Sequence, residues 1–156
     1  MTLKLTSPAF ADGAEIPAGF TCDGANLSPA LAWSGAPAGT RSFLLTCNDP
    51  DAPAGVWHHW AAFDIPADWS GLEAGFGAER PAAGCREAVN DFGKPGYGGP
   101  CPPRGHGPHH YHFRLSALGE ASLPAAASAS CVEVMQLARP YVLEFTELVG
   151  VYERSK

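Results

Sequence analysis

Glycine (18 residues) and proline (15) break this 156-residue chain about once every five positions. Proline removes a backbone donor and clashes with the preceding helical turn, and glycine gives up the most conformational freedom on ordering. Long helices are therefore excluded over most of the length, and the apolar segments between breakers are of strand size. The length suits one domain, residues 1–156. A chain of this size buries roughly 70% of its unfolded surface, so its core needs neither metal nor disulfide.

Charge narrows the partners. Ten Lys+Arg against sixteen Asp+Glu leave a formal net charge of -6. Phosphate-backbone binding needs a basic surface, so nucleic acid is not expected. No run of eighteen apolar residues occurs, and Met1–Pro8 lacks the basic and apolar regions of a secretory signal. The five cysteines are an odd number at irregular spacing. Reduced thiols in a cytoplasmic protein are the expectation.

Four strands and one helix stand out. Arg41–Asn48 is short, apolar and bounded by Asp49-Pro50, which reads as a buried strand. Val56–Ile65 follows and stops at Pro66. Strict alternation puts Trp57, His59, Ala61, Phe63 and Ile65 on one face, and His58, Trp60, Ala62 and Asp64 on the other. The adjacent histidines thus point opposite ways. In Tyr111–Leu118 the alternation sets His109, Tyr111, Phe113, Leu115 and Ala117 against His110, His112, Arg114 and Ser116. Ser130 and Glu133 match a capping box, with Val132, Met135, Gln136 and Arg139 at helical spacing before Pro140. Phe145–Tyr152 reads as a final strand.

Eleven of the sixteen residues from Gly93 to Pro108 are glycine or proline. Flexible linkers are usually polar and serine-rich, whereas this stretch holds Tyr97 and Cys101 and runs into a strand. A structured loop lining a site is the better reading. All six histidines lie between positions 58 and 112, just downstream of Asp49 and Asp51. No nucleophile elbow, phosphate-binding glycine loop, dinucleotide fingerprint or Cys-x-x-Cys is present, so no cofactor is expected. The one metal lead is His110-x-His112 with His106 or Asp49. Such pairs are as readily exposed polar residues, and no metal is expected. Cys101 is a candidate thiol, better read as a small buried loop residue.

Two longer motifs are more specific. Asp49-Pro-Asp-Ala-Pro53 precedes Trp57-His-His59, and Gly98-Gly-Pro-Cys-Pro-Pro103 precedes His109-His-Tyr111. Thr6–Phe10, Phe20–Gly24, Asn26–Pro29 with Trp33, Asn90–Gly93 and Val149–Arg154 extend the pattern over nearly the whole chain. Together they resemble the phosphatidylethanolamine-binding protein family, which includes the Raf kinase inhibitor proteins, and within it the bacterial Raf-kinase-inhibitor-like subgroup. The resemblance implies an all-β fold, a two-sheet antiparallel sandwich with one or two short helices near the C-terminus. It also implies a small anion pocket built from Asp49, Asp51, His59, His109 and Tyr111, with Gly99 and Pro100 on the loop side. The family often has Arg where this chain has His110. That position points away from the pocket face, so the change falls on the rim.

The implied function is non-enzymatic binding of a small phosphorylated or anionic ligand, possible kinase or other signalling partners being modulated by it. Two carboxylates repel phosphate, so the ligand must be held by histidine, the Tyr111 hydroxyl and backbone amides of the Gly98–Pro103 loop. Such a pocket is expected to be shallow and polar. The alternatives are a hydrolase using His with Asp, and a surface-dependent inhibitor of a kinase or protease. The resemblance further implies a homodimer, with Trp60 or Trp69 as interface aromatics if they are not core.

Overall fold

The computed structural model describes residues 2–76 and 85–155. Short strands dominate, as the breakers require. Strands β1 (Lys4–Thr6), β2 (Leu31–Ser34) and β5 (Gly71–Leu72) form a small sheet. Strands β6 (Arg86–Glu87), β4 (Trp57–Pro66), β3 (Ser42–Asp49), β7 (His109–Leu118) and β8 (Val142–Tyr152) form a five-stranded sheet in that order. Neighbouring strands pair antiparallel in both. An α-helix, α1 (Cys131–Ala138), and a 3-10 turn over Arg139–Tyr141 precede β8.

The middle of the large sheet, β3 and β4, is buried on both faces. Between the sheets, Leu3, Leu5, Leu31 and Trp33 pack on Phe43, Leu45, Cys47, Phe113 and Leu115. On the outer face, Leu44, Phe63 and Leu118 pack beneath Cys131, Val134 and Ala138 of α1. Double burial explains why the β3 sequence runs continuously apolar instead of alternating.

β4 departs twice from strict alternation. Cys47 pairs with Trp60 and Asn48 with His58, so His59 is an extra residue in a β-bulge. His59 and Trp60 consequently both turn to the inter-sheet side, and Trp60 is fully buried, which removes it from any subunit interface. The second departure is at Asp64, whose φ is 57°. Ala61 and Phe63 already face the helix-side cluster after the first bulge, and the Asp64 irregularity returns Ile65 to the inter-sheet core. Asp64 Oδ1 accepts from the Leu123 amide at 2.9 Å, and Oδ2 accepts from Arg86 Nε at 3.0 Å and Ser122 Oγ at 3.1 Å. Those bonds hold the irregular strand to the segment that leads into α1. Trp69, the other expected interface aromatic, is half-buried and packs edge-on against Phe76.

The capping box at Ser130 and Glu133 is present with both reciprocal bonds. The buried stripe is Cys131, Val134 and Ala138, one residue off the expected Val132–Met135–Arg139 face; Val132 is exposed. Strand β8 starts at Val142, earlier than the expected Phe145. Cysteine bookkeeping also needs correcting. Cys22 is bonded to Cys101, so the five are not all reduced, and Cys101 is no free thiol. Cys47, Cys85 and Cys131 are free and buried.

Candidate functional site

Asp49 ends β3 and His109 begins the neighbouring β7, so the sheet itself places the two side chains together at one end of the sandwich. Asp49 Oδ2 accepts from His109 Nδ1 at 2.6 Å, and both groups are almost wholly buried. Asp49 Oδ1 accepts from the Asp51 amide at 2.8 Å, the local turn that an Asp-Pro-Asp sequence favours. A carboxylate acceptor fixes the His109 proton on Nδ1 and leaves Nε2 facing His106 Nδ1 at 2.6 Å. Asp49, His109 and His106 thus form a hydrogen-bonded chain from the interior to an exposed ring.

Beside this chain lies a cavity of about 250 Å³, lined by Asp49, Trp57, His59, Phe92, His109, Tyr111 and the Cys101–Pro103 turn, with Ala52 and Pro53 at its edge. Its walls are largely aromatic and proline, which replaces the shallow polar pocket expected from the sequence. His59 and Tyr111 meet edge-to-face, centroids 5.2 Å apart, and Phe92 packs against both His59 and Trp57.

His59 Nδ1 donates to the Gly98 carbonyl at 2.6 Å, leaving Nε2 as the free ring nitrogen. Burial pushes the His59 pKa down, against the opposing pull of the Gly98 carbonyl and the Asp49 charge, so the ring is neutral at neutral pH. Burial also pushes the Tyr111 phenol far up, and it keeps its proton. Two buried donors on the wall, Tyr111 OH and Trp57 Nε1, have no hydrogen-bond partner among the described residues. Buried donors are nearly always satisfied, so both are open to an acceptor brought by a ligand.

Of the seven residues singled out in the sequence, four line the cavity: Asp49, His59, His109 and Tyr111. Asp51 does not. Its carboxylate turns to the rim and accepts from both the amide and Nδ1 of His110 at 2.8 Å, and that pairing holds its pKa below the usual range. Among the described residues only the Asp49 carboxylate therefore faces the cavity, and both its oxygens are engaged. The like-charge problem expected from two aspartates does not arise.

Gly99 and Pro100 also lie off the wall. The Gly99 amide donates to Asn26 Oδ1 at 2.8 Å, and the Pro100 carbonyl accepts from the Cys22 amide at 3.1 Å. The Gly98 amide donates to the His59 carbonyl at 3.0 Å. These groups knit the loop to its neighbours, so the expectation of loop amides aimed at an anion is not met for Gly98 or Gly99. A Cβ on Gly99 would collide with Asn26 Oδ1 and the Phe20 carbonyl, which is why the residue is glycine. The metal lead also dissolves. His110 turns to Asp51 and His112 to Glu147 on the outer face, while His106 turns to His109.

Sequence reasoning missed Phe92 and the donor role of Trp57, and saw His106 only as a metal ligand. Trp57 was legible by its two-residue offset from His59. His106 and Phe92 were not, because each reaches the site from an irregular loop.

The model of the family described as phosphatidylethanolamine-binding protein matches residues 6–153. The UPF0098 protein of Aquifex aeolicus is 41% identical over 153 residues, covering 98% of this chain and 90% of its own. That of Methanothermobacter thermautotrophicus is 44% identical over 154 residues, covering 98% and 100%. The crystal structure of Escherichia coli YbcL, described as a new member of the mammalian PEBP family, superposes with a TM-score of 0.92 at 34% identity, covering 98% of this chain and 99% of YbcL. The sandwich, the Asp49–His109 end and the matched relatives agree: the chain belongs to the phosphatidylethanolamine-binding protein family.

Proposed function

We propose that this protein binds small phosphorylated or similarly anionic ligands in the Asp49–His109 cavity, without covalent chemistry. The observation that carries the reading is the pair of partnerless buried donors, Tyr111 OH and Trp57 Nε1, on the wall that also holds the free Nε2 of His59. A phosphate oxygen satisfies donors of this kind, and a dry aromatic wall strengthens each bond. Protonation of His59 adds a third donor, and because burial holds its pKa below the ordinary value near 6.5, affinity stays level from pH 8 to about 6.5 and rises as pH falls further. His106 covers His109 Nε2, so the ligand either displaces the His106 ring or bonds to it.

Non-enzymatic binding is part of the same proposal. The two nucleophile candidates are poor ones: Tyr111 holds its proton tightly, and Cys101 is in a disulfide. Partner kinases or proteases, and a homodimer, are further proposals. A surface-dependent inhibitor would keep its partner when Asp49 and His109 are replaced, whereas a pocket-dependent one would lose it. The cytoplasmic placement rested on reduced thiols; the Cys22–Cys101 bridge favours an oxidising compartment instead.

The test is a proton–nitrogen NMR titration with phosphate and with O-phosphorylethanolamine at pH 6 and pH 8. The Trp57 indole N–H should shift, more strongly at pH 6. Tyr111→Phe, which removes one donor and keeps the shape, should weaken binding about fivefold, the worth of one hydrogen bond near 1 kcal/mol. An unmoved Trp57 indole at millimolar ligand rejects the proposal.

A further inference from the structure

The outer face of the five-stranded sheet carries a second cavity, separate from the Asp49–His109 end. Helix α1 covers this face through Cys131, Val134 and Ala138, and its flank of Val132, Met135, Gln136 and Arg139 overhangs uncovered β3 and β7. The result is a groove of about 310 Å³, at the lower end of the size range of small-molecule sites.

The groove has two chemically different ends. Thr46 and Arg114 are direct cross-strand partners, as are Leu44 and Ser116 one step along the same face. At the first end, Thr46 Oγ1 is buried and has no hydrogen-bond partner among the described residues, although the residue is only 2% exposed. Beside it, Arg114 is already oriented: Nε donates to Glu147 Oε2 at 3.0 Å and the guanidinium lies 4.2 Å over the Phe145 ring. That leaves its terminal nitrogens for another acceptor. Toward the other end the walls are Leu44, Met135, Ala138 and Val142. Arg139 stands at the rim with no side-chain partner among the described residues, and no residue lining the groove is acidic. With Arg114 balanced by Glu147, Arg139 leaves the groove one uncompensated positive charge in a chain of net charge -6.

We propose that this groove binds a small monocarboxylate with an apolar body. The carboxylate accepts from the Arg114 terminal nitrogens and the Thr46 hydroxyl, and the hydrocarbon lies along Leu44, Met135 and Val142. A planar guanidinium fork matches a carboxylate, and the apolar walls reward a tail that inorganic phosphate lacks. The assignment does not depend on the ligand proposed for the Asp49–His109 cavity.

Octanoate, kept below its micellar range, is the probe, with butyrate and inorganic phosphate as comparators. Titration followed by NMR should give saturable shifts at Thr46, Arg114, Ser116 and the α1 amides, tighter for octanoate than for butyrate. Arg114→Gln should weaken octanoate at least tenfold, as loss of a charge-assisted pair does. Thr46→Val is the sharper variant. It removes the partnerless hydroxyl without changing shape, so the free protein should melt at the same or a higher temperature while octanoate binds about fivefold more weakly. The phosphate response of the Trp57 indole should be unchanged in Thr46→Val. Absence of saturable shifts, equal affinity for octanoate and phosphate, or unaltered octanoate affinity in Thr46→Val each overturns the proposal.

Discussion

His59 shows how one side chain couples the site to stability. Its folded pKa lies below the ordinary value near 6.5, with burial as the main cause. The unfolded chain therefore binds more protons than the folded one across that window, and stability rises with pH through it. His59 contributes no penalty above about pH 6.5 and a growing one as pH falls below it. Thermal melts of wild type and His59→Gln between pH 7.5 and 5 should diverge on the acid side, with wild type losing more. Phosphate should narrow the gap, because an anion beside His59 restores its proton affinity. Parallel melts across the range would refute this account. Asp64 makes a second residue-scale case. It accepts three hydrogen bonds while holding a left-handed conformation. Asp64→Ala leaves the Leu123 amide and Arg86 Nε without their acceptor, while the Arg86 terminal nitrogens keep the Ala125 and Leu123 carbonyls, at a cost of about 2–3 kcal/mol, or a fall in melting temperature of roughly 5–10 °C by calorimetry.

Among the elements, β7 was the most legible and β4 the least. In β7 the inward set from His109 to Ala117 follows simple alternation because no bulge interrupts it before Ala117. In β4 two bulges shift the parity, and nothing in Trp57-His-His-Trp60 announces that His59 will be the extra residue. The helix start at Ser130 was readable from its cap, but its buried face was not. Cys131 and Ala138 are too small to dominate a hydrophobic pattern, yet they are what fits against the sheet. The loop before β7 was read as structured, and its role differs from the one expected. Its glycines permit close approach to other segments more than they offer amides to a ligand. Gly99→Ala tests the difference. A steric role lowers the melting temperature and perturbs Asn26 and Phe20 resonances before any ligand is added. A ligand-contact role would leave the free protein intact and change affinity alone.

At the scale of the whole molecule, the sandwich was legible through the family resemblance its motifs carry, and Asp49 and His109 meet because both motifs reach strand ends, where topology converts sequence distance into contact. The disulfide was not legible. An odd cysteine count argues against a framework but cannot exclude a single bridge, and Cys22 and Cys101 stand 79 positions apart. A covalent link over that span restricts the unfolded ensemble and is worth about 2–4 kcal/mol. Cys22→Ser/Cys101→Ser, or treatment with a dithiol, should lower the midpoint in urea accordingly. The Cys101–Pro103 wall of the cavity should loosen with it, seen as faster amide exchange at residues 101–107. An unchanged midpoint would mean that the bridge adds nothing to the folded state.

The same bridge divides the chain mechanically. Strands β2 to β6 lie inside a closed covalent ring, whereas β7, α1 and β8 lie outside it. Tension applied between the termini passes through the sulfur pair and bypasses the ring. Extension on forced unfolding should then fall short of the full contour by roughly 270 Å, the extended length of the ring's residues. Asp49, Trp57, His59 and Phe92 sit on the ring, and His106, His109 and Tyr111 on the tail that peels from it. A pull on the ends would therefore part the cavity along its Asp49–His109 seam while the ring stayed tied.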